Sequence, residues 1–491
     1  MLNWNEINKY RENNRIEAKQ ALGGLPQSVW ESYSAFANTL GGYILLGVKE
    51  LPDKSFQTIS LPDPEKLVID FWNTINNTQK VNCNILLDKN VQIQEVDGNR
   101  IIVIEVPRAS RNDKPIYINN DIFKSFRRNN EGDYRCSKES VQAMLRDASK
   151  ETQDMLVLEN TPFAVFNYDS VKGYRNAMKN TRPGHVWERL EDNEFLLKLG
   201  AVARGEDEQL HPTAAGILMF GHEHEIVRVF PHYFLDYQEH FDTSMRWTDR
   251  ITSSSGEWSG NLLDFFYKAY NKTVQNPNVK TPFKLEGAIR IDDTPVHKAL
   301  REALANCLIN ADYHGEGGVV IKSYTDKITL ENPGGLRLEI GEALSGGLSV
   351  PRNEVLMKIF NLIDIGERAG SGIPSIYQVW TDQKWTAPEL SEQLEIERTL
   401  LVLSFTKDQK KSSDKKVAIK SSDKKVAIKS NEQRKIIIEY VKQKEVIRSS
   451  ELLDVLNVGD QRIRKLLLEL VNENILIAEG ANRNRTYRLK S

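Results

Sequence analysis

Hydrophobic and polar positions along this chain switch repeatedly between a helical and a strand period. From Gln27 to Leu40, the residues Trp30, Tyr33, Ala37 and Leu40 recur at helical spacing; Gly41 and Gly42 stop the pattern, and Tyr43–Val48 is an apolar run of strand length. Asn99–Pro107 predicts a second buried strand, while Pro115–Ile118 and Ile122–Phe126 predict edge strands or turns. Ser137–Ala148 predicts a closing helix with Ser137 as its N-cap. These elements make residues 1–150 an α+β unit. Over 151–290 the pattern predicts helices at Val186–Leu199, Pro212–Phe220 and Asn261–Tyr270 and a strand at Tyr233–Tyr237, read as a connector packed on the domain that follows.

The segment His297–His314 reads as one helix. Leu300, Leu304 and Leu308, with Ala303, Cys307 and Ala311, form its packing stripes, and Glu302, Asn306, Asn310 and His314 stack four residues apart on one face. Val319–Tyr324 and Lys327–Leu330 predict strands joined at Thr325-Asp326, and Asn332-Pro333-Gly334-Gly335-Leu336 then breaks the pattern. A second glycine-rich stretch, Ile365–Ile373, leads into a helix over 374–380.

Near the end, Asn431–Gln443, Ser449–Leu456 and Asp460–Asn474 predict three helices, followed by hairpin strands Ile475–Ala478 and Thr486–Leu489. That order is a winged helix-turn-helix. Gln461, Arg462, Arg464 and Lys465 face outward on its third helix, and Arg483 and Arg485 ride the wing, where cations would meet phosphates. Such a module binds DNA or docks protein. Ser412–Lys420 is repeated without change as Ser421–Lys429, and nine lysines against three aspartates over 407–430 suit either a solvated tether or one that attracts polyanions. The implied domains are 1–150, 151–290, 291–406, a linker at 407–430, and 431–491.

At 491 residues the chain has room for three or four domains, and a net charge of −2 confines any nucleic-acid contact to local patches. Three scattered cysteines have no metal spacing and suit a reducing compartment. The polar start lacks a signal core, and no apolar run reaches the ~18 residues of a membrane span, so a cytoplasmic protein without membrane association is expected. His211, His222 and His224 lack supporting acids or thiols and are read as structural or surface groups.

Glu302 one turn before Asn306 is chemistry suited to a metal-nucleotide site: a carboxylate to position water and an amide oxygen to bind Mg²⁺. The glycine clusters add backbone amides that suit phosphates. Taken in order, Arg301–Asn306, Asp312-Tyr313, Asn332–Leu336, Arg352-Asn353 and Gly366-Glu367 through Gly370-Ser371-Gly372 resemble the divergent ATP-binding domain of the GHKL superfamily found in RecG-like, or "divergent AAA", proteins. The resemblance implies a Bergerat-type α/β sandwich with Glu302 as catalytic base and Asn306 as Mg²⁺ ligand. Asn332 would lie near the adenine, where better-known GHKL ATPases place an aspartate; Gly370 and Gly372 would face the phosphates, and Asn310, Gly334, Gly335 and Ser371 complete the site. No P-loop lysine motif accompanies it, so helicase activity is not implied.

Glu12–Lys19, Glu31–Val48, Lys114–Tyr117 and Phe126–Asn129 are similar to the AlbA-like DNA-binding domain shared with Schlafen proteins. That resemblance implies that Glu12, Glu17 and Glu50 could hold Mg²⁺ or Mn²⁺ at a phosphodiester, with Lys19, Arg127 and Arg128 contacting nucleic acid. The position after Gly47-Val48 carries Glu50 where the family pattern leads one to expect aspartate. Three functions follow as expectations: an ATP-responsive transcriptional regulator or switch bound to DNA or RNA; a Schlafen-like metal-dependent nuclease gated by nucleotide, in phage defence; or a non-catalytic scaffold. GHKL-type domains often dimerise, so the resemblance also implies a homo-oligomer.

Overall fold

The structure is a computed structural model that describes residues 7, 10–242, 244–279, 285–286, 289–290, 294–366, 370–394 and 396–407, and, of the C-terminal part, 437–438, 440–441, 444, 446–448, 452, 463, 466–467, 470–471, 476–479 and 486–489. It divides into two compact units, Met1–Asp408 and Gln409–Ser491.

The first unit opens with a four-stranded sheet in the order Ile16–Lys19, Gly42–Leu46, Asn99–Val106, Val91–Val96. The first pair is parallel and the others antiparallel. The helix Ser28–Asn38 packs its Trp30, Tyr33 and Phe36 onto this sheet, with Phe71 and Ile75 of the helix Pro64–Ile75. The tight join from helix to strand depends on glycine. Gly41 has φ +73°, and a Cβ there would meet Val106 O at 2.6 Å; one on Gly42 would meet Phe36 at 2.6 Å. Asn38 ties the helix end to the next layer, donating to Ile116 O and Phe126 O at 2.8 and 3.1 Å and accepting from Ile116 N at 2.8 Å. The helix Lys138–Ala148 begins as expected, with the Ser137 hydroxyl accepting from Ser140 N.

The connector departs from the sequence pattern. Val186–Arg189 is a short 3-10 turn and only Asp192–Leu199 is α-helical. Leu190 and Glu191 between them are extended, and Arg175 holds the break by donating to Glu188 O and Leu190 O. The helix Ala214–Phe220 is capped by Thr213, and Leu262–Thr273 by Asn261.

A six-stranded sheet follows, in the order Asp249–Thr252, Leu235–His240, Val319–Tyr324, Lys327–Pro333, Arg398–Ser404, Glu389–Gln393. Leu235–His240 pairs in parallel with Val319–Tyr324, and the remaining pairs are antiparallel. Two strands of the expected connector are thus built into this sheet, and, among the described residues, one apolar core draws on both sides of residue 290, from Val165 to Phe405. The pairing joins residues far apart in sequence, which local periodicity does not reveal. Trp380 is fully buried on this core, its indole donating to Ser404 O at 2.8 Å.

In the second unit the expected strands pair antiparallel as Leu476–Glu479 and Thr486–Leu489, and a third strand, Val446–Arg448, joins the other side. Ile437, Val441, Ile463, Leu466, Leu467 and Leu470 pack with Leu476 and Tyr487 in its core. The repeat at 412–429 lies outside the described residues, and so do the expected nucleic-acid contacts Gln461, Arg462, Arg464, Lys465, Arg483 and Arg485. No helix among the described residues is long and apolar enough to cross a membrane.

Candidate functional site

The helix Pro295–Ile309 carries the central pair. Thr294 caps it through its hydroxyl, and Pro295 occupies a first-turn position where its missing N–H costs nothing. Leu300, Ala303, Leu304, Cys307 and Leu308 are buried, and Glu302 and Asn306 are half-buried on the flank. Asn306 Nδ2 donates to Glu302 Oε1 at 3.0 Å, so its Oδ1 is the atom left for a cation.

The helix stops earlier than the sequence pattern implies. Asn310 is the C-cap, at φ −98° and ψ 4°, and donates through Nδ2 to Asn306 O at 3.0 Å. His314 therefore leaves the expected face and packs against the Phe230 ring, 4.9 Å between centroids. Asn310 also braces a distant stretch of chain, its Oδ1 accepting from Arg352 N at 3.3 Å.

Glu302 and Asn306 lie against the start of the helix Gly372–Asp382. A Cβ on Gly372 would collide with Glu302 Oε1 and come within 3.1 Å of Asn306 Nδ2, so glycine is what permits this approach. Ser371 stands at the N-cap position. Gly370 has φ +68°, and a Cβ there would strike Leu348 O. Gly370→Ala is expected to lower stability by about 1–3 kcal/mol, because neither a left-handed backbone nor a backbone oxygen yields cheaply. Urea denaturation checks this; a change below about 0.5 kcal/mol would mean the loop rearranges freely. Glu367–Ala369 lie outside the described residues.

Between the pair and the sheet is a cavity of about 150 Å³, walled by Leu330, Leu336, Leu348, Met357, Ile373 and Leu401. Asn332, 4% exposed, lines it too. Its Nδ2 is spent on Pro333 O at 3.1 Å and Asn310 O at 3.4 Å, which leaves Oδ1 as the acceptor it offers a ligand. Thr399 Oγ1 donates to Gly334 O at 2.8 Å, fixing the glycine turn. Glu302, Asn306, Asn310, Asn332, Gly335, Gly370 and Gly372, singled out by sequence, all line this one cavity. A carboxylate beside an amide oxygen is a donor set that suits Mg²⁺ with most of its water retained.

The N-terminal acids converge as well. Burial, then Glu17, then Glu50 push the Glu12 carboxyl above the usual carboxylate range, against the Ala18 N–H and Arg128. One oxygen of Glu50, Oε1, is enclosed without a hydrogen bond, with Lys54 Nζ its ion-pair neighbour at 3.4 Å. Glu17 is committed at both oxygens, 2.8 Å from Lys19 Nζ and 2.8 Å from Arg128 Nη1. Among the described residues, no three His, Cys, Asp or Glu side chains are arranged to hold a metal ion. The acids have the right chemistry, but in this arrangement Glu17 and Glu50 already meet cations, while Glu12 accepts from Ala18 N.

The expected basic face is also folded inward. The Arg128 side chain is 1% exposed and pairs with Asp133 as well as Glu17; Arg127 pairs with Glu397, and Lys19 is 10% exposed. For Arg127 the pairing is set by the fold and leaves no local trace, since Glu397 lies 270 positions away.

Lys114, in the same family-like stretch, donates to Asn38 O at 2.9 Å. Burial first, then Arg108 and Arg127, press its pKa down to about 7 from 10.5, against Glu392 and Asp147. Between those values the unfolded chain holds the extra proton, so stability rises with pH across the window and is lost as pH falls towards 7. Lys114→Met is expected to remove on the order of 2–4 kcal/mol of this pH-dependent difference. Denaturation curves of the two proteins at pH 7 and pH 10 check it; parallel pH profiles would contradict it.

Three family models match segments of this chain. Residues 12–137 match the family model described as "Schlafen, AlbA_2", residues 316–401 the model described as "Putative ATP-dependent DNA helicase recG C-terminal", and residues 142–236 a domain of unknown function. Among solved structures, the "N-terminal Domain of Putative ATP-dependent DNA Helicase RecG-related Protein" from Nitrosomonas europaea is 31% identical, covering 27% of this chain and 90% of that one with a TM-score of 0.22. The DIP2311 protein from Corynebacterium diphtheriae is 15% identical, covering 97% of this chain and 92% of that one with a TM-score of 0.42. No curated protein matches the chain.

Proposed function

We propose that this chain, a RecG-like protein that joins a Schlafen AlbA_2 segment to a RecG C-terminal segment, binds Mg²⁺-ATP and acts as a nucleotide-responsive switch on DNA or RNA. The observation that carries this reading is the Glu302–Asn306 pair seated against Gly372 at a cavity that Asn332 also lines. Asn306 Oδ1 would hold the ion, and Glu302 would orient a water. The amides of Gly370 and of the start of helix 372–382 would receive phosphate oxygens. Asn332 Oδ1 would accept from the amino group of adenine. Mg²⁺, when bound, would offset phosphate charge. The AlbA_2 segment and a C-terminal winged helix would supply the contacts to nucleic acid, and ATP acts as a switch only to the extent that it binds two arrangements unequally.

The test is a calorimetric titration of the full chain with ATP and with GTP in Mg²⁺. ATP is expected to bind about tenfold or more tightly, because the carbonyl of guanine would face the Asn332 oxygen. Equal affinities would remove the adenine assignment, and no heat from either nucleotide would remove the reading.

A second reading, a Schlafen-like metal-dependent nuclease, draws on the elevation of Glu12 by burial, with Glu17 and Glu50 adding to it, and on the enclosed Glu50 oxygen. Incubation with labelled RNA and DNA in Mn²⁺ discriminates it: cleavage lost in Glu17→Ala supports a nuclease, and intact substrate throughout leaves the binding switch alone.

A further inference from the structure

The turn Pro333–Leu336 beside the cavity is held by side chains from the N-terminal segment. Arg352 Nη2 donates to Gly335 O at 2.9 Å, and its Nη1 donates to Asn310 O. A Cβ on Gly334 would collide with this guanidinium, so the glycine lets Arg352 lie directly under the turn. The same guanidinium grips Asp147 at both oxygens, 2.9 Å each. Asp147 belongs to the helix Lys138–Ala148 and also meets Arg337 Nε at 3.3 Å. Burial alone would raise the Asp147 carboxyl, but Arg352 and then Arg337 hold it at about 2.

A second arm reaches the next residue. Leu336 N donates to Glu392 Oε1 at 2.7 Å, and Leu336 O accepts from Arg108 Nη2 at 3.3 Å. Arg108 follows the strand Asn99–Val106 and pairs with both Glu392 oxygens. A third arm holds Gly334, whose N–H donates to Glu397 O at 2.7 Å, while the Glu397 carboxylate takes Arg127 and the Ser140 hydroxyl. Three successive residues of the turn are thus each reached, directly or through one side chain, by the N-terminal segment.

We propose that Arg108 and Asp147 are positioning residues for the nucleotide pocket, and that this clasp couples occupancy of the pocket to the N-terminal segment. The inference rests on the nucleotide-binding reading above. A ligand that favours the clasped turn must tighten the segment's hold, and loosening the clasp must weaken the ligand by the same factor. These pairs are largely buried, the Arg108 and Glu392 side chains 19% and 5% exposed, so losing one partner also costs stability. Their placement on the backbone of Gly335 and Leu336 is what gives them leverage.

The experiment uses the full chain, its Arg108→Gln and Asp147→Asn variants, and the conservative variants Arg108→Lys and Asp147→Glu. Calorimetry gives Mg²⁺-ATP affinity, and hydrogen exchange gives protection of residues 100–110 and 138–148 with and without nucleotide. In the parent, ATP is expected to raise protection in both stretches. Arg108→Gln and Asp147→Asn are each expected to bind ATP about fivefold or more weakly and to lose that gain, and the conservative variants to keep part of both. If the parent binds ATP with no change in either stretch, or the neutral variants keep both affinity and gain, the clasp is overturned while nucleotide binding stands. If the parent binds no ATP, the underlying reading has failed instead. Circular dichroism of each variant distinguishes lost folding from lost coupling, and the conservative variants serve where a neutral one does not fold.

Discussion

Asn306→Ala is expected to weaken Mg²⁺-dependent ATP binding on the order of 100-fold while leaving the fold intact. The side chain is half-buried, and its amide nitrogen donates to Glu302 one turn away on the same helix. Alanine is the best helix former, so the helix Pro295–Ile309 has no reason to fray. What is removed is the oxygen that would ligate the ion, and with it the bridge between helix and phosphates. Calorimetry with and without chelator checks the loss, and a thermal melt checks the fold. Unchanged affinity in the variant would detach the helix from the ligand.

The second large effect is structural. Arg128→Met is expected to destabilise the first unit by about 3–5 kcal/mol, since removing one member of a buried ionic network strands the others. The guanidinium donates to Asn13 O at 3.0 and 3.1 Å and to Ile16 O at 3.2 Å, pairs with Glu17 and Asp133 at 2.8 Å each, and lies 5.1 Å from the centre of the Phe36 ring. Methionine keeps some of the contact with Phe36 but satisfies none of the carbonyls or acids. Urea denaturation measures the loss; less than about 1 kcal/mol would place Arg128 among the surface cations, as its sequence context suggests.

These two residues mark where sequence is legible and where it is not. Glu302 and Asn306 share one helix, so a spacing of four residues is enough to pair them, and the glycine runs supply the loops that close on them. Features built across the chain leave no such trace. Arg352 meets Asp147 across 205 positions, and Arg108 meets Glu392 across 284. No periodicity encodes such pairs; they exist only once the sheet is assembled. The same limit hides the parallel pairing of Leu235–His240 with Val319–Tyr324, which merges the supposed connector with the pocket's own sheet. Helix ends escape the pattern where a cap decides them. Asn310 reads as one more residue on a polar face, yet its backbone and amide end the helix and send His314 elsewhere.

Whether the pocket between Glu302 and Gly372 receives a nucleotide is settled by photolabelling the full chain with an azido-ATP in Mg²⁺, followed by peptide mapping. Adducts are expected within 330–337 and 399–401, and excess ATP is expected to suppress them. Adducts confined to other segments, or labelling that ATP does not compete away, would mean that the nucleotide binds elsewhere or not at all.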